Sequence, residues 1–323
     1  MVGNFKWLIM ILAALVLLSI FWNLNTGFAV LQIDDFFSNT DQSQVAELRI
    51  NRTFVVLLAG ISIPTSGFLL QEYFQNPLAG PSVLGITSAA SLAVAFYIFL
   101  SQGVQLPEFL QNSFLSISAI FGSFLLMLVL LGFSKRFQDK SFLIIFGFLI
   151  SALAGAIISI LQLYADNQSL KNYILWSFGA NNMVTTHQLV LLLILVGIGI
   201  FISFLTIKPL IGNALGVAYA QSFGVNLVVL KYLIIIASSL LSASITAFMG
   251  PVLFIGIVIP HFCRMLYNPS KLWQQWILNM ILGVVMMEIF SSISELTKLP
   301  LNVITSLFGI PVILVMMLKK NTA

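Results

Sequence analysis

Residues that could carry chemistry are few in this chain and far apart. It has two histidines, His187 and His261, and one cysteine, Cys263. General acid–base catalysis needs its partners within hydrogen-bond reach. The two histidines fall at opposite ends of the spans described below, so they do not form a pair. A single cysteine permits no intrachain disulfide and leaves the redox compartment undetermined. The sequence has no Cys/His metal spacing, no lipidation motif, no Ser/His/Asp constellation and no G-x-x-x-x-G-K-[ST] loop. Any ATP hydrolysis must therefore belong to another subunit. Glu72 and Glu288 lie inside or near the ends of apolar runs, Glu288 the deeper. An intramembrane carboxylate is costly and marks a functional candidate. A proton relay would use one; a packed, hydrogen-bonded or protonated glutamate is the plainer reading. Asn76, Asn279 and Glu288 share no spacing that suggests an ion relay.

The most informative run is Gly250–Arg264, GPVLFIGIVIPHFCR. It is apolar or glycine from Pro251 to Pro260 and closes on His261 and Arg264. A proline at each end interrupts helical hydrogen bonding. In lipid that is tolerated only where protein or a water-filled cavity satisfies the freed groups. The segment Asn76–Pro81, NPLAGP, likewise forces a non-helical turn, because proline disfavours helix at the residue before it. Upstream of it, Gly60, Ser62, Pro64, Thr65, Ser66 and Gly67 make a small-residue, kinked helix suited to close packing.

The elements that hold these residues are membrane spans. Hydrophobic residues make up 59% of the chain and charged residues 7%, with mean hydropathy +1.06. Soluble domains carry roughly 25% charge, and outer-membrane barrels alternate polarity along short strands. Neither fits. The apolar runs are continuous and helix-length, near 7–24, 53–74, 82–102, 113–133, 142–163, 187–207, 227–248, 252–267, 276–295 and 302–318. The first is read as a retained span, since it lacks a small-residue cleavage site. With the N-terminus in the cytoplasm, ten spans place Lys6, Lys135, Arg136, Lys140, Lys208, Lys231, Arg264, Lys271, Lys319 and Lys320 inside. Arg49, Arg52, Lys171 and Lys298 fall outside. That asymmetry obeys the positive-inside rule with both termini cytoplasmic. The expected fold is an all-α integral membrane protein of about ten transmembrane helices in a single domain, 1–323. Gly80-Pro81 with Gly85 faintly echoes Gly250-Pro251 with Gly256, as an inverted repeat would.

Four blocks, in order, resemble the FecCD family, the permease subunits of importers for ferric siderophores, haem and cobalamin. The first is Asn76-Pro77-Leu78-Ala79 with Pro81, Leu84 and Gly85. The second is Leu215-Gly216 followed by Ser222-Phe223-Gly224-Val225. The third is Gly250, Pro251, Phe254, Gly256, Pro260, His261 and Arg264, with Ile257 where leucine is usual. The fourth is Leu299-Pro300 with Thr305, Gly309 and Pro311. The resemblance covers nearly the whole chain.

The resemblance implies a type II ATP-binding-cassette importer permease, not an enzyme, in a bacterial cytoplasmic (inner) membrane. It would work with two ATPase subunits that bind the ATP, an extracytoplasmic substrate-binding protein, and a second copy or sister permease. The cargo would be an iron chelate, first a ferric siderophore, then haem or cobalamin. Arg49 and Arg52 match the arginines that pair with glutamates of the binding protein; Arg suits carboxylates through its planar fork. The same two could be a snorkelling interfacial pair. Asn51 replaces the family's proline, and Ser291-Ser292 stand where a further arginine is expected. Lys298 would supply the missing charge, with Glu295 partly cancelling it. The segment 208–226 would form two short helices inserted into the ATPase, using Leu215, Gly216, Tyr219, Ser222 and Gly224. Val217-Ala218 replace the usual Glu-Glu there. Ser141 would belong to the cytoplasmic gate, or cap its helix. Trp176 would lie on a short helix near the pathway entrance, or anchor at the interface. His261 and Arg264 mark a cytoplasmic boundary. An ion- or proton-coupled secondary transporter is the competing expectation; it predicts loss of transport on Glu288→Gln.

Overall fold

The computed structural model describes residues 5–36, 42–102, 107–136, 140–179, 184–267 and 271–320. These residues fold into helices and turns, without a strand. In chain order the α-helices are α1 (Phe5–Asn25), α2 (Ser43–Phe74), α3 (Ile86–Leu100), α4 (Glu108–Arg136), α5 (Lys140–Leu163) and α6 (Asn167–Ser177). They continue with α7 (Thr186–Ala214), α8 (Val217–Ser222), α9 (Leu227–Met249), α10 (Ile255–Leu266), α11 (Leu272–Thr297) and α12 (Leu301–Lys320), and a 3-10 turn, Ile33–Phe36, precedes α2. Seven are long and apolar enough to cross a membrane, and three shorter apolar helices complete ten. These ten coincide with the ten apolar runs.

The helices α6 and α8 are additional. α6 is the short helix expected after span five. The coupling segment differs from expectation: α7 runs on through Pro209 to Ala214, and only α8 stands apart as a short helix. The extension is held at its end, where the Asn213 amide donates to the Tyr73 carbonyl at 3.2 Å.

Ten residues before its apolar run, α2 already begins, so Arg49 and Arg52 are helical. It is the central helix, packed by α1, α7, α9, α10 and α11. Small residues permit this. A Cβ at Gly60 would sit 2.6 Å from the Val284 Cα of α11, and one at Gly67 would run into the Gly256 carbonyl of α10. Ser66 Oγ donates to the Ser238 carbonyl of α9 at 3.0 Å.

The two proline-containing turns give α3 and α10 the same beginning. Each starts from a left-handed residue, Gly85 (φ 80°) before α3 and Phe254 (φ 64°) before α10. α10 has 12 residues, about 18 Å of rise, against a hydrocarbon core of roughly 30 Å. Helical structure therefore starts three residues later than the run at 252. The non-helical lead-in survives because Pro251 and Val252 are buried in protein. The faint sequence echo is thus a shared local shape.

Candidate functional site

Polar residues gather at the two ends of α2. At its N-terminal end, Arg49 and Arg52 are each only 5% exposed. Arg49 Nη1 and Nη2 donate to the carbonyls of Leu24 (3.1 Å) and Ala29 (2.9 Å). Arg52 Nη2 donates to the carbonyls of Asn23 and Thr26, both at 2.7 Å, and to Asn23 Oδ1 at 2.9 Å. Its Nη1 pairs with Glu295 Oε1 of α11 at 3.1 Å. The last carbonyls of a helix have no partner within it and carry partial negative charge. Two guanidiniums from α2 therefore cap the end of α1 and the loop after it. The pair expected at the surface points inward, and Glu295 offsets Arg52.

Lys298 itself is exposed, in a left-handed conformation at the end of α11. Ser291 and Ser292 are fully buried. Asn51 donates to Val184 O (3.3 Å) and Thr186 Oγ1 (3.2 Å), so the residue that replaces proline ties α2 to the start of α7. A cavity of about 140 Å³ lies beside the arginines, lined by Phe28, Val45, Leu48, Arg49, Arg52 and Glu295.

Deeper on α11, Glu288 is fully buried, and neither carboxylate oxygen has a hydrogen-bond partner among the described residues. Its backbone carbonyl accepts from Asn23 Nδ2 at 3.3 Å.

At the other end of α2, Glu72 Oε1 pairs with Arg264 Nη1 of α10 at 3.2 Å, and Arg264 Nη2 donates to Gln71 Oε1. Gln71 Nε2 in turn donates to the Ile257 carbonyl at 3.1 Å. Asn76 closes the following turn, accepting from Leu78 N–H at 3.0 Å. Pro77 follows it, and Pro81 packs near Gly256. His261 is half-buried on α10.

The coupling segment, residues 208–226, turns at α8, and this elbow lies beside the cluster. Leu215, Tyr219 and Phe223 are 62%, 58% and 70% exposed. Tyr219 and Phe223 rings lie 5.7 Å apart, and Ser222 Oγ donates to the Tyr219 carbonyl. Gly216 (φ 108°) and Gly224 (φ 76°) bracket α8 in conformations that favour glycine. A cavity of about 530 Å³ opens here, lined by Lys208, Gly212, Leu215, Phe223, Val225 and Asn226 among others.

Two expected sites stand apart from both clusters. Ser141 is exposed in the first turn of α5. Trp176, on α6, offers its backbone carbonyl to the Gly250 turn, where a Cβ would come within 2.5 Å. Asn302 of α12 fastens the same helix by donating to Ser177 O at 3.2 Å. Among the described residues no three metal-ligating side chains converge.

Sequence reasoning missed Asn23, Gln71 and Asn213, and it saw Glu72 and Arg264 without their pairing. The available signal was charge: a glutamate at the end of one apolar run and an arginine at the end of another, both on the side rich in lysine and arginine.

The profile of the FecCD transport family matches residues 7–319. The chain belongs to the FecCD transport family. FecCD relatives include the vitamin B12 import system permease protein BtuC of Shigella boydii serotype 18, 28% identical over 321 residues, covering 98% of this chain and 96% of that one. BtuC of Salmonella typhi is 29% identical over 320 residues, with the same coverage. A solved inward-facing conformation of a metal-chelate type ABC transporter superposes with TM-score 0.84 at 24% identity, covering 97% of this chain and 99% of that one. PsaBC from Streptococcus pneumoniae, solved with a Fab, gives TM-score 0.56 at 17% identity over 88% and 95%. At these identities the two solved structures establish the fold. Within the matched span, the segments whose sequence resembles the family form turns and contacts just described: Asn76–Pro81 before α3, Gly250–Gly256 before α10, Arg264 on Glu72 and Gln71, and the turns around α8.

Proposed function

We propose that the chain is the membrane-spanning permease subunit of an ATP-driven importer of a bulky metal chelate. The observation that carries this reading is the elbow. Leu215, Tyr219 and Phe223 present a glycine-bracketed apolar surface beside Lys208, on the lysine-rich end that the positive-inside rule assigns to the cytoplasm. A site for an ATPase subunit needs such a surface, and the chain itself carries no nucleotide loop. The permease transports and does not catalyse; two ATPase subunits bind and hydrolyse the ATP.

At the opposite end, the α1–α2 loop held by Arg49 and Arg52, together with exposed Lys298, forms the docking rim for an extracytoplasmic binding protein. A second permease copy covers α5, of whose most apolar window only 17% is buried. The pathway then runs between the copies, with Ser141 at the cytoplasmic gate and Trp176 near the outer entrance. Ferric siderophores, haem and cobalamin are the candidate cargoes. The relatives named for vitamin B12 import make cobalamin a necessary arm of any test.

The test is uptake into proteoliposomes containing this chain with its ATPase and binding protein. A ferric siderophore, haem and cyanocobalamin are offered in parallel. Uptake of one of them should require ATP and stop with orthovanadate. Uptake driven by a proton gradient without the ATPase would overturn the importer reading.

A further inference from the structure

We propose that Asn213, Gln71, Glu72 and Arg264 form a mechanical tie by which the elbow positions α10. The proposal rests on the reading of the elbow as the ATPase-docking segment. Its geometry is continuous through three elements. Asn213, 4% exposed at the end of α7, donates from Nδ2 to the carbonyls of Tyr73 (3.2 Å) and Glu72 (3.4 Å). Those are last-turn carbonyls of α2, which have no helical partner of their own. The side chains of the same turn then reach α10. Glu72 pairs with Arg264 in its last turn, and Gln71 bonds both Arg264 and, at 3.1 Å, the Ile257 carbonyl in its first turn. Both ends of α10 are thus fastened to one turn of α2, and that turn is fastened to the elbow.

The joints of α10 make this tie consequential. Before it lie Gly250 (φ 79°), Pro251 and left-handed Phe254; after it, Tyr267 is extended. Non-helical joints on both sides set α10, which continues through Pro260, apart as a separate element of 12 residues. Where α10 crosses α2, Gly67 faces the Gly256 backbone and Ile63 lies alongside, so the crossing itself is a close backbone contact. Direction is set by the polar tie instead. Charge-assisted bonds such as Arg264–Glu72 are stronger and more directional than neutral ones, and coupling between sites needs contacts of this kind that differ between states. Asn213 and Arg264 are therefore positioning residues: the contacts they make are to the last turn of α2.

Cys263, the chain's single cysteine, is buried beside Arg264 and reports on α10 without engineering. The experiment labels it with N-ethylmaleimide in the assembled transporter, with and without ATP plus orthovanadate, and reads modification of this chain by mass spectrometry. In the unaltered complex the labelling rate should change roughly tenfold with nucleotide, within the range of an allosteric coupling. In Glu72→Gln and Asn213→Ala the ratio should collapse to about one, and the exchanged pair Glu72→Arg with Arg264→Glu should recover most of it. Slow labelling of the variants without nucleotide verifies that α10 is folded in place. A ratio in the single variants equal to the unaltered one would overturn the tie, as would a nucleotide-insensitive Cys263 in a complex that hydrolyses ATP. If the unaltered chain retains no ATPase subunit, the importer reading itself fails, before any variant is compared.

Discussion

Arg49 and Arg52 show how a surface-facing expectation turns inward. Their spacing in RINR was legible, and so was a preference for carboxylate or carbonyl oxygen. What the sequence could not supply was the partner, because the carbonyls of Asn23, Leu24, Thr26 and Ala29 are backbone atoms common to every residue type. Arg52→Ala removes the pair with Glu295 and four bonds to Asn23 and Thr26 at and just beyond the end of α1. Breaking a buried, hydrogen-bonded ion pair costs about 3–5 kcal/mol, so this variant should melt far below the unaltered chain in detergent. Glu295→Gln leaves Arg52 its other acceptors and should cost about 1 kcal/mol. Equal melting of the two variants would show that Arg52 does not cap α1. Glu288 makes the opposite case. Its carboxylate oxygens are buried without a hydrogen-bond partner among the described residues, so only the nearby Arg52 charge works against the cost of their desolvation. Glu288→Gln should keep or raise thermal stability and leave uptake unchanged. Loss of uptake with stability intact would favour a proton-coupled mechanism.

Among the elements, ten apolar runs became ten helices because lipid leaves a spanning backbone little choice but to satisfy itself. The sequence was weakest where polarity and helix disagree. Residues 43–52 are polar enough to read as loop, yet they extend α2 and carry both arginines. Residues 252–254 are apolar enough to read as helix, yet Gly250, Pro251 and left-handed Phe254 delay α10. The helices α6 and α8 are too short and too polar to stand out by hydropathy, and only resemblance anticipated them. The small-residue stretch of α2 was legible as a close-packing face, though not its partners, Gly283 and Gly256. Gly67→Val should displace α10, because its Cβ would enter the Gly256 carbonyl. Overpacking of this kind costs about 1–3 kcal/mol. The expected result is a lower melting temperature and faster maleimide labelling of Cys263. Unchanged labelling would mean that the crossing yields without moving α10.

For the molecule as a whole, the described fold leaves wide apolar flanks on α1, α4, α5 and α7, which lipid covers, but α5 is the barest of the long spans. Its window holds the exposed small residues Ala152, Gly155, Ala156 and Ser159, the kind that let helices approach closely in a membrane. In mild detergent the chain should therefore run as a dimer, twice its 35.6 kDa, by native mass spectrometry. With Cys263→Ala in place, Ala152→Cys should form an interchain disulfide. A monomer with no cross-link, in a preparation that retains its ATPase, would point to a sister permease as the second copy. The arginine caps also bear on how the molecule is made. Local groups reach the carbonyls of Phe21, Trp22 and Asn23 at the end of α1, but the guanidiniums that complete it are encoded 25 and 29 residues after the carbonyls they bind, within α2. The end of α1 is therefore completed only when α2 is beside it, so the two helices settle in the bilayer as a pair.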